Sequence, residues 1–151
     1  MLATLLIVSL YNCSGDSSSS NPAATKSVSV SIDGLQKNFT NVEVIQESQE
    51  ENGVPRTDIH IHAANPNDET EYIEFGIGKG DIGDDQLWAF LYVKNGTQYF
   101  GELKQYQAGL PNSTTVNPYD QNKIAGSFGG TVKSEDGVKL VFSNGIFDIT
   151  Y

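Results

Sequence analysis

The chain has a single cysteine, Cys13, a single tryptophan, Trp88, and few basic residues. One cysteine cannot form an internal disulfide or supply a cysteine-based zinc cage. Nine Lys and Arg against nineteen Asp and Glu leave a formal net charge of −10. An acidic surface repels nucleic acid and anionic lipid headgroups, so the charge argues against nucleic acid as a partner. Cations, neutral glycans and basic protein surfaces remain compatible with it.

Helical periodicity is also missing, since no segment of ten or more residues repeats its apolar positions at the spacing of a helix. The chain instead has short alternating segments between turn signals. Val28, Val30 and Ile32 alternate with serines, which is typical of a strand with one buried face. Asn95-Gly96 favours a type I′ hairpin turn. About nine or ten such strands predict an all-β fold, an antiparallel β-sandwich with a β-barrel as the alternative.

Three polar segments are interpreted as interruptions between strands. Residues 46–56 (QESQEENGVPR) predict an acidic loop, and residues 107–122 predict a long excursion from the sheet. Ser143-Asn144-Gly145 predicts a turn near the C-terminus.

Motifs of the common enzyme classes are absent from the sequence. It contains no phosphate-binding loop and no dinucleotide fingerprint. Gly126-Ser127-Phe128-Gly129 lacks the strand-turn-helix context of a nucleophile elbow. We therefore expect a protein that is not an enzyme.

The only long apolar run stands at the N-terminus, where residues 2–10 read LATLLIVSL. It is too short to cross a bilayer, and it is typical of the core of a secretory signal peptide. Because no basic residue precedes Lys26, we expect the natural start to lie upstream of Met1. Residues 1–12 are interpreted as the signal peptide, 13–25 as a serine-rich flexible tether, and 26–151 as a single all-β domain.

The residues around Cys13 resemble a known targeting signal. Leu10-Tyr11-Asn12-Cys13 resembles a bacterial lipobox, although Tyr11 and Asn12 replace the small residues usual between Leu and Cys. Cys13-Ser14-Gly15-Asp16 resembles the start of small uncharacterised cell-envelope lipoproteins of the Bacteroidota type. Residues 141–149 (VFSNGIFDI) resemble the closing β-hairpins of such domains. The resemblance implies lipidation of Cys13 and anchoring to the outer membrane, facing the periplasm or the cell surface, and it implies no catalytic residue.

Two segments suggest metal ligands. In the strand Asp58-Ile59-His60-Ile61-His62 the carboxylate and both imidazoles share one face, and such a set can bind zinc. The alternative is an ordinary polar outer face. The loop containing Asp81, Asp84 and Asp85 offers oxygen ligands for calcium, or is a solvated turn.

Aromatic residues suggest a binding platform. Trp88, Phe90 and Tyr92 alternate in one strand, so strict alternation predicts a shared face that either stacks on sugar rings or belongs to the core. Tyr99, on the following strand, is a third candidate ligand contact beside Trp88 and Tyr92.

Three functions follow from these patterns. The first is a non-catalytic, lipid-anchored envelope protein that binds a glycan or a protein partner. The second is a structural or accessory lipoprotein of an envelope assembly. The third is a metal-binding protein that uses His60 and His62.

Overall fold

The computed structural model describes residues 26–101, 113–116 and 122–151. These residues form strands and turns and no helix, which confirms the all-β prediction. The predicted signal peptide, Cys13 and the tether lie outside the described residues, as does most of the predicted excursion over 107–122. The strands are β1 Lys26–Ile32, β2 Leu35–Phe39, β3 Asn41–Glu51, β4 Val54–Asn65, β5 Asp68–Gly78, β6 Gly83–Asp84, β7 Trp88–Lys94, β8 Thr97–Phe100, β9 Ser113–Val116, β10 Lys123–Ser134 and β11 Lys139–Thr150.

Nine strands form one antiparallel path in the order β2-β1-β11-β10-β8-β7-β5-β4-β3. The short strands β6 and β9 pair with each other, and β9 also pairs with β10. The sheet curls into a half-barrel, which is consistent with a sandwich or barrel-like fold. Because of the curl, Phe75 of β5 packs against Phe147 of β11 with ring centroids 5.4 Å apart, although three strands separate them in the sheet.

The core lies on the concave face of this sheet. Side chains alternate between the two faces of a strand, so every second residue points to the concave face. In the serine-rich β1 these residues are the buried Val28, Val30 and Ile32. Burial of these apolar side chains removes them from water and stabilises the curled sheet. The largest buried apolar side chains of the core are Phe39, Ile59, Ile61, Ile73, Phe75, Ile77, Phe90, Ile124, Phe128, Phe142, Phe147 and Ile149.

Tight turns join most neighbouring strands. Asn95 and Gly96 have φ values of 50° and 79°, so both residues adopt the left-handed conformation of the expected type I′ turn. Asn52 and Gly53 do the same, with φ values of 53° and 79°.

The hairpin at Asn52-Gly53 overturns the predicted acidic loop over 46–56. β3 and β4 pair from Asn41 opposite Ala64 to Glu51 opposite Val54, without a register shift. The prediction was wrong because the side chains of Gln46 to Glu51 are exposed, so no buried face imposes an apolar alternation on that half of the strand.

The predicted turn at Ser143-Asn144-Gly145 is wrong as well. These residues lie inside β11, and Asn144 has a φ of 53°. Ser143 and Ile146 pair with Ser31 and Ser29 of β1, so two residues of β11 face one of β1, which defines a β-bulge. The C-terminal hairpin is instead formed by β10 and β11 around residues 135–138.

The buried carboxylate of Glu71 connects strands that lie far apart in the sheet. Glu71 of β5 is 2% exposed. It accepts hydrogen bonds from Tyr92 Oη at 2.7 Å and Asn65 Nδ2 at 2.7 Å, and Lys37 Nζ lies 2.9 Å from its Oε1. Lys37 belongs to β2, at the end of the strand path opposite to β3 and β4, so the contact joins the two halves of the half-barrel.

Two opposing effects set the pKa of Glu71. Burial raises the pKa, but the hydrogen bonds from Tyr92, Lys37 and Asn65 and the charge of Lys37 together outweigh it, so the pKa lies below its usual value. Burial, followed by the hydrogen bond to Glu71, raises the pKa of Tyr92. The network therefore contains a carboxylate anion and a neutral phenol at neutral pH.

Candidate functional site

The convex face of β3, β4 and β5 carries the two histidines of the chain. His60 and His62 point outward and alternate with the buried Ile59, Ile61 and Ala63, as the alternation of β4 predicts. Each imidazole lies next to its own carboxylate. His62 Nδ1 lies 2.8 Å from Glu74 Oε1 of β5, and the ring of His62 also packs on Tyr72 at 4.7 Å.

His60 occupies the neighbouring position along this face. Its Nε2 lies 3.5 Å from Glu47 Oε2 of β3, and its direct cross-strand neighbours are Ile45 and Gly76. The rings of His60 and Trp88 form a T-shaped pair with their centroids 5.1 Å apart. This contact places Trp88 on the convex face, opposite to the core.

A β-bulge explains the position of Trp88. Gly76 pairs with Trp88 and Glu74 pairs with Leu91, so Ala89 and Phe90 together face Phe75 of β5. Ala89 has a φ of 51°, the left-handed region. The extra residue breaks the alternation, so the predicted shared face of Trp88, Phe90 and Tyr92 is wrong.

Trp88 lies flat over the backbone of β5. A Cβ atom at Gly76 would come within 2.5 Å of the indole ring, so glycine at this position is what admits the ring. The indole Nε1 is buried and finds no hydrogen-bond partner among the described residues. A buried donor without a partner costs about 1–3 kcal/mol.

A groove of about 300 Å³ lies on this face, and Trp88 adjoins it through its contacts with His60 and Gly76 of the groove wall. Trp88 itself lines a separate pocket, together with Gln49, Glu50, Glu51, Arg56 and Asp58. Carboxylates, imidazoles and apolar side chains share the walls of the groove, and none of the described residues lining it is a lysine or an arginine. Its lining residues are Glu43, Ile45, Glu47, His60, Ile61, His62, Glu74, Phe75, Gly76 and Ala89. The groove can therefore offer hydrogen-bond acceptors and apolar contact together, with a negative potential.

Asp58 does not join the two histidines. It is 6% exposed, accepts a hydrogen bond from Arg56 Nε at 2.8 Å, and contacts Gln49 Nε2. Within the described ranges, no group of three or more His, Cys, Asp or Glu side chains is arranged to hold a metal ion. The zinc set of Asp58, His60 and His62 is thus not assembled in this structure.

The predicted calcium ligands lie in and beside β6. Asp81 Oδ2 lies 3.7 Å from Arg56 Nη2, while Asp84 belongs to β6 and Asp85 has a φ of 59°. Asp81 therefore faces the guanidinium group of Arg56 in β4. Within the described part of the chain, these three aspartates do not form a group that could hold a metal ion.

Tyr92 and Tyr99 lie on the other side of the sheet from Trp88. Tyr92 is 1% exposed and belongs to the core, where its ring packs on Phe142 at 5.3 Å. Tyr99 is half-buried, with its ring 5.7 Å from that of Tyr92. Of the three aromatic residues predicted to contact a ligand, only Trp88 is therefore on the convex face.

Sequence reasoning missed the glutamates of the groove. The alternation of β5 places Ile73 and Phe75 inward, which already sends Glu74 outward. Its position beside His62 depends on the register of β4 against β5, and the sequence does not reveal that register. Glu43 and Glu47 were missed for the same reason on β3.

The chain matches no protein family model, no curated protein and no solved structure. Among the residues that the structure describes, no helix has the length and apolar character needed to cross a membrane.

Proposed function

We propose that the protein is a non-catalytic, lipid-anchored envelope protein whose convex sheet face binds a glycan. The observation that carries the proposal is the groove on the convex face, next to which the bulge at Ala89 turns Trp88 out of the core and against His60. Sugar rings present apolar C–H faces and polar hydroxyl edges, and a half-exposed indole is suited to the first of these.

The remaining groups of the groove suit the hydroxyl edges. Glu43, Glu47 and Glu74 line the groove and are acceptors for hydroxyl donors. Because the walls are negative, we expect neutral glycans to bind better than sulfated or uronic-acid glycans.

Replacement of Trp88 by alanine is expected to weaken glycan binding by about two- to tenfold. The stacking contact is worth about 0.5–1.5 kcal/mol, and 1.4 kcal/mol corresponds to a factor of ten. The measurement is a screen of neutral and acidic oligosaccharides, followed by calorimetric titration of the hits. Since Trp88 is the only tryptophan and its ring contacts His60 of the groove wall, its fluorescence is expected to change when a ligand fills the groove of the unmodified chain.

The matched control is Phe100→Ala. Phe100 is an exposed aromatic residue of β8, 52% accessible and outside the groove. Its loss should leave glycan affinity unchanged. If no oligosaccharide changes the Trp88 fluorescence or binds in the calorimeter, the glycan proposal is wrong.

The proposed anchor makes a separate prediction. If Cys13 carries acyl chains, Cys13→Ala should move the protein from the membrane fraction to the soluble fraction, since two or three chains are what hold a lipoprotein stably. Immunoblots of fractionated cells measure this, and protease treatment of intact cells distinguishes a surface-facing domain from a periplasmic one. An unchanged distribution of Cys13→Ala would remove the anchor from the proposal.

A further inference from the structure

The strand β3 forms one end of the sheet. It pairs with β4 along its whole length, and no strand in the described part of the chain pairs with its other edge. Backbone N–H and C=O groups along a free edge can accept a further strand. Such an edge is therefore a place where an extended segment of another protein can bind.

Most of the usual protections of an edge strand are missing from β3. Its eleven residues, Asn41–Glu51, contain no proline and no lysine, and their pairing with β4 has no bulge. Natural sheets commonly shield an edge by shortening, bending or interrupting it. The opposite edge strand, β2, has only five residues.

Negative charge is the one protection that β3 retains. Glu43, Glu47, Glu50 and Glu51 give it four carboxylates and no cation. An antiparallel pair of two β3 edges would bring carboxylates of both copies together, and like charges that face each other destabilise a sheet. The same charges favour a strand that carries Lys or Arg, so the edge discriminates against a second copy and in favour of a basic partner.

The side chains on the two faces of β3 determine which residue pattern an added strand would need. Glu43 and Glu47 point to the convex face, and both line the groove. Val42 and Val44 point to the concave face, where they are half-buried against the core. An added strand would thus place one set of side chains beside Glu43, the exposed Ile45 and Glu47, and the other set beside Val42 and Val44.

We propose that the free edge of β3 binds an extended basic segment of a partner protein by strand addition. The segment alternates Lys or Arg with apolar residues, the basic side chains facing Glu43 and Glu47. This interaction uses the backbone edge of β3 and does not require Trp88, although it shares Glu43 and Glu47 with the glycan groove.

The test uses the full chain and a fluorescein-labelled probe peptide of sequence KVKVKVK. We expect saturable binding by fluorescence anisotropy, with slower amide hydrogen exchange in residues 41–51. Glu43→Gln/Glu47→Gln should weaken binding about fivefold or more, since each exposed ion pair contributes up to about 1 kcal/mol. The control Glu135→Gln/Asp136→Asn removes two charges from the turn between β10 and β11 and should leave affinity within twofold.

Two further peptides separate strand addition from simple charge attraction. EVEVEVE should not bind. KVKVKVK with N-methyl groups at alternate residues on one edge keeps its charge but cannot complete the ladder, so it should lose most of its affinity. The proposal is overturned if the N-methylated peptide binds as well as KVKVKVK, if both charge variants weaken binding equally, or if KVKVKVK does not bind.

Discussion

Replacing Glu71 with glutamine is expected to lower the free energy of unfolding by about 3 kcal/mol. The carboxylate is buried and accepts bonds from Tyr92, Asn65 and Lys37. Removing one partner of a buried ion pair costs about 3–5 kcal/mol. We place the value at the low end because the Lys37 side chain is 24% exposed and can regain some hydration.

Urea denaturation of Glu71→Gln and of Glu69→Gln measures this effect. Glu69 is an exposed residue of the same strand, two positions away, and its replacement should change stability by about 0.5 kcal/mol or less. Lys37→Met, alone and combined with Glu71→Gln, completes a double-mutant cycle. If the two replacements add without a coupling energy, the contact between β2 and β5 does not contribute as argued.

The lowered pKa of Glu71 gives this contribution a pH dependence. In the unfolded chain the carboxyl titrates near its ordinary value of about 4.3. In the folded protein it titrates at lower pH, so the stabilisation is fully present above the unfolded value and is lost as pH falls through the folded value. The stability difference between the unmodified chain and Glu71→Gln should accordingly be constant from pH 7 to about pH 5 and shrink below pH 4.

The sequence predicted well where one face of a strand is buried and the other is exposed. In β1 and β5 the alternation of apolar residues agrees with the observed burial, and Asn95-Gly96 forms the expected turn. Both are local signals, since a strand's period and a two-residue turn depend only on neighbouring residues. These signals were enough for the fold class.

The errors arose where an extra residue or a pairing partner decides the outcome. The bulges at Ala89 and Asn144 each shift the alternation by one residue, and no local composition distinguishes Asn144-Gly145 from a turn. The groove was out of reach for a related reason, because its carboxylates and imidazoles come from three strands whose register is a tertiary property. Of the imidazoles and carboxylates that line the groove, the sequence indicated only the two histidines, which belong to a single strand.

Gly145→Ala is expected to destabilise the domain by about 3 kcal/mol, the upper part of the range for overpacking. Gly145 faces Phe128 of β10 in the bulge, and a Cβ atom there would lie 2.5 Å from the Phe128 carbonyl oxygen and 2.8 Å from its ring. The carbonyl belongs to the buried Phe128 and cannot move freely, and the ring of Phe128 packs on Phe75 and Phe90. The strain therefore reaches the core.

The comparison with Gly53→Ala isolates this packing effect. Gly53 has a positive φ of 79°, but a Cβ atom there would meet nothing within 4 Å. Its replacement should cost only the conformational penalty of about 1 kcal/mol. Thermal and urea unfolding of both variants decide between the two causes. Gly145 has no positive φ, so a loss at Gly145 no larger than that at Gly53 would mean that the site relaxes around the added methyl group. In that case β10 and β11 can separate at the bulge without disturbing the phenylalanine cluster.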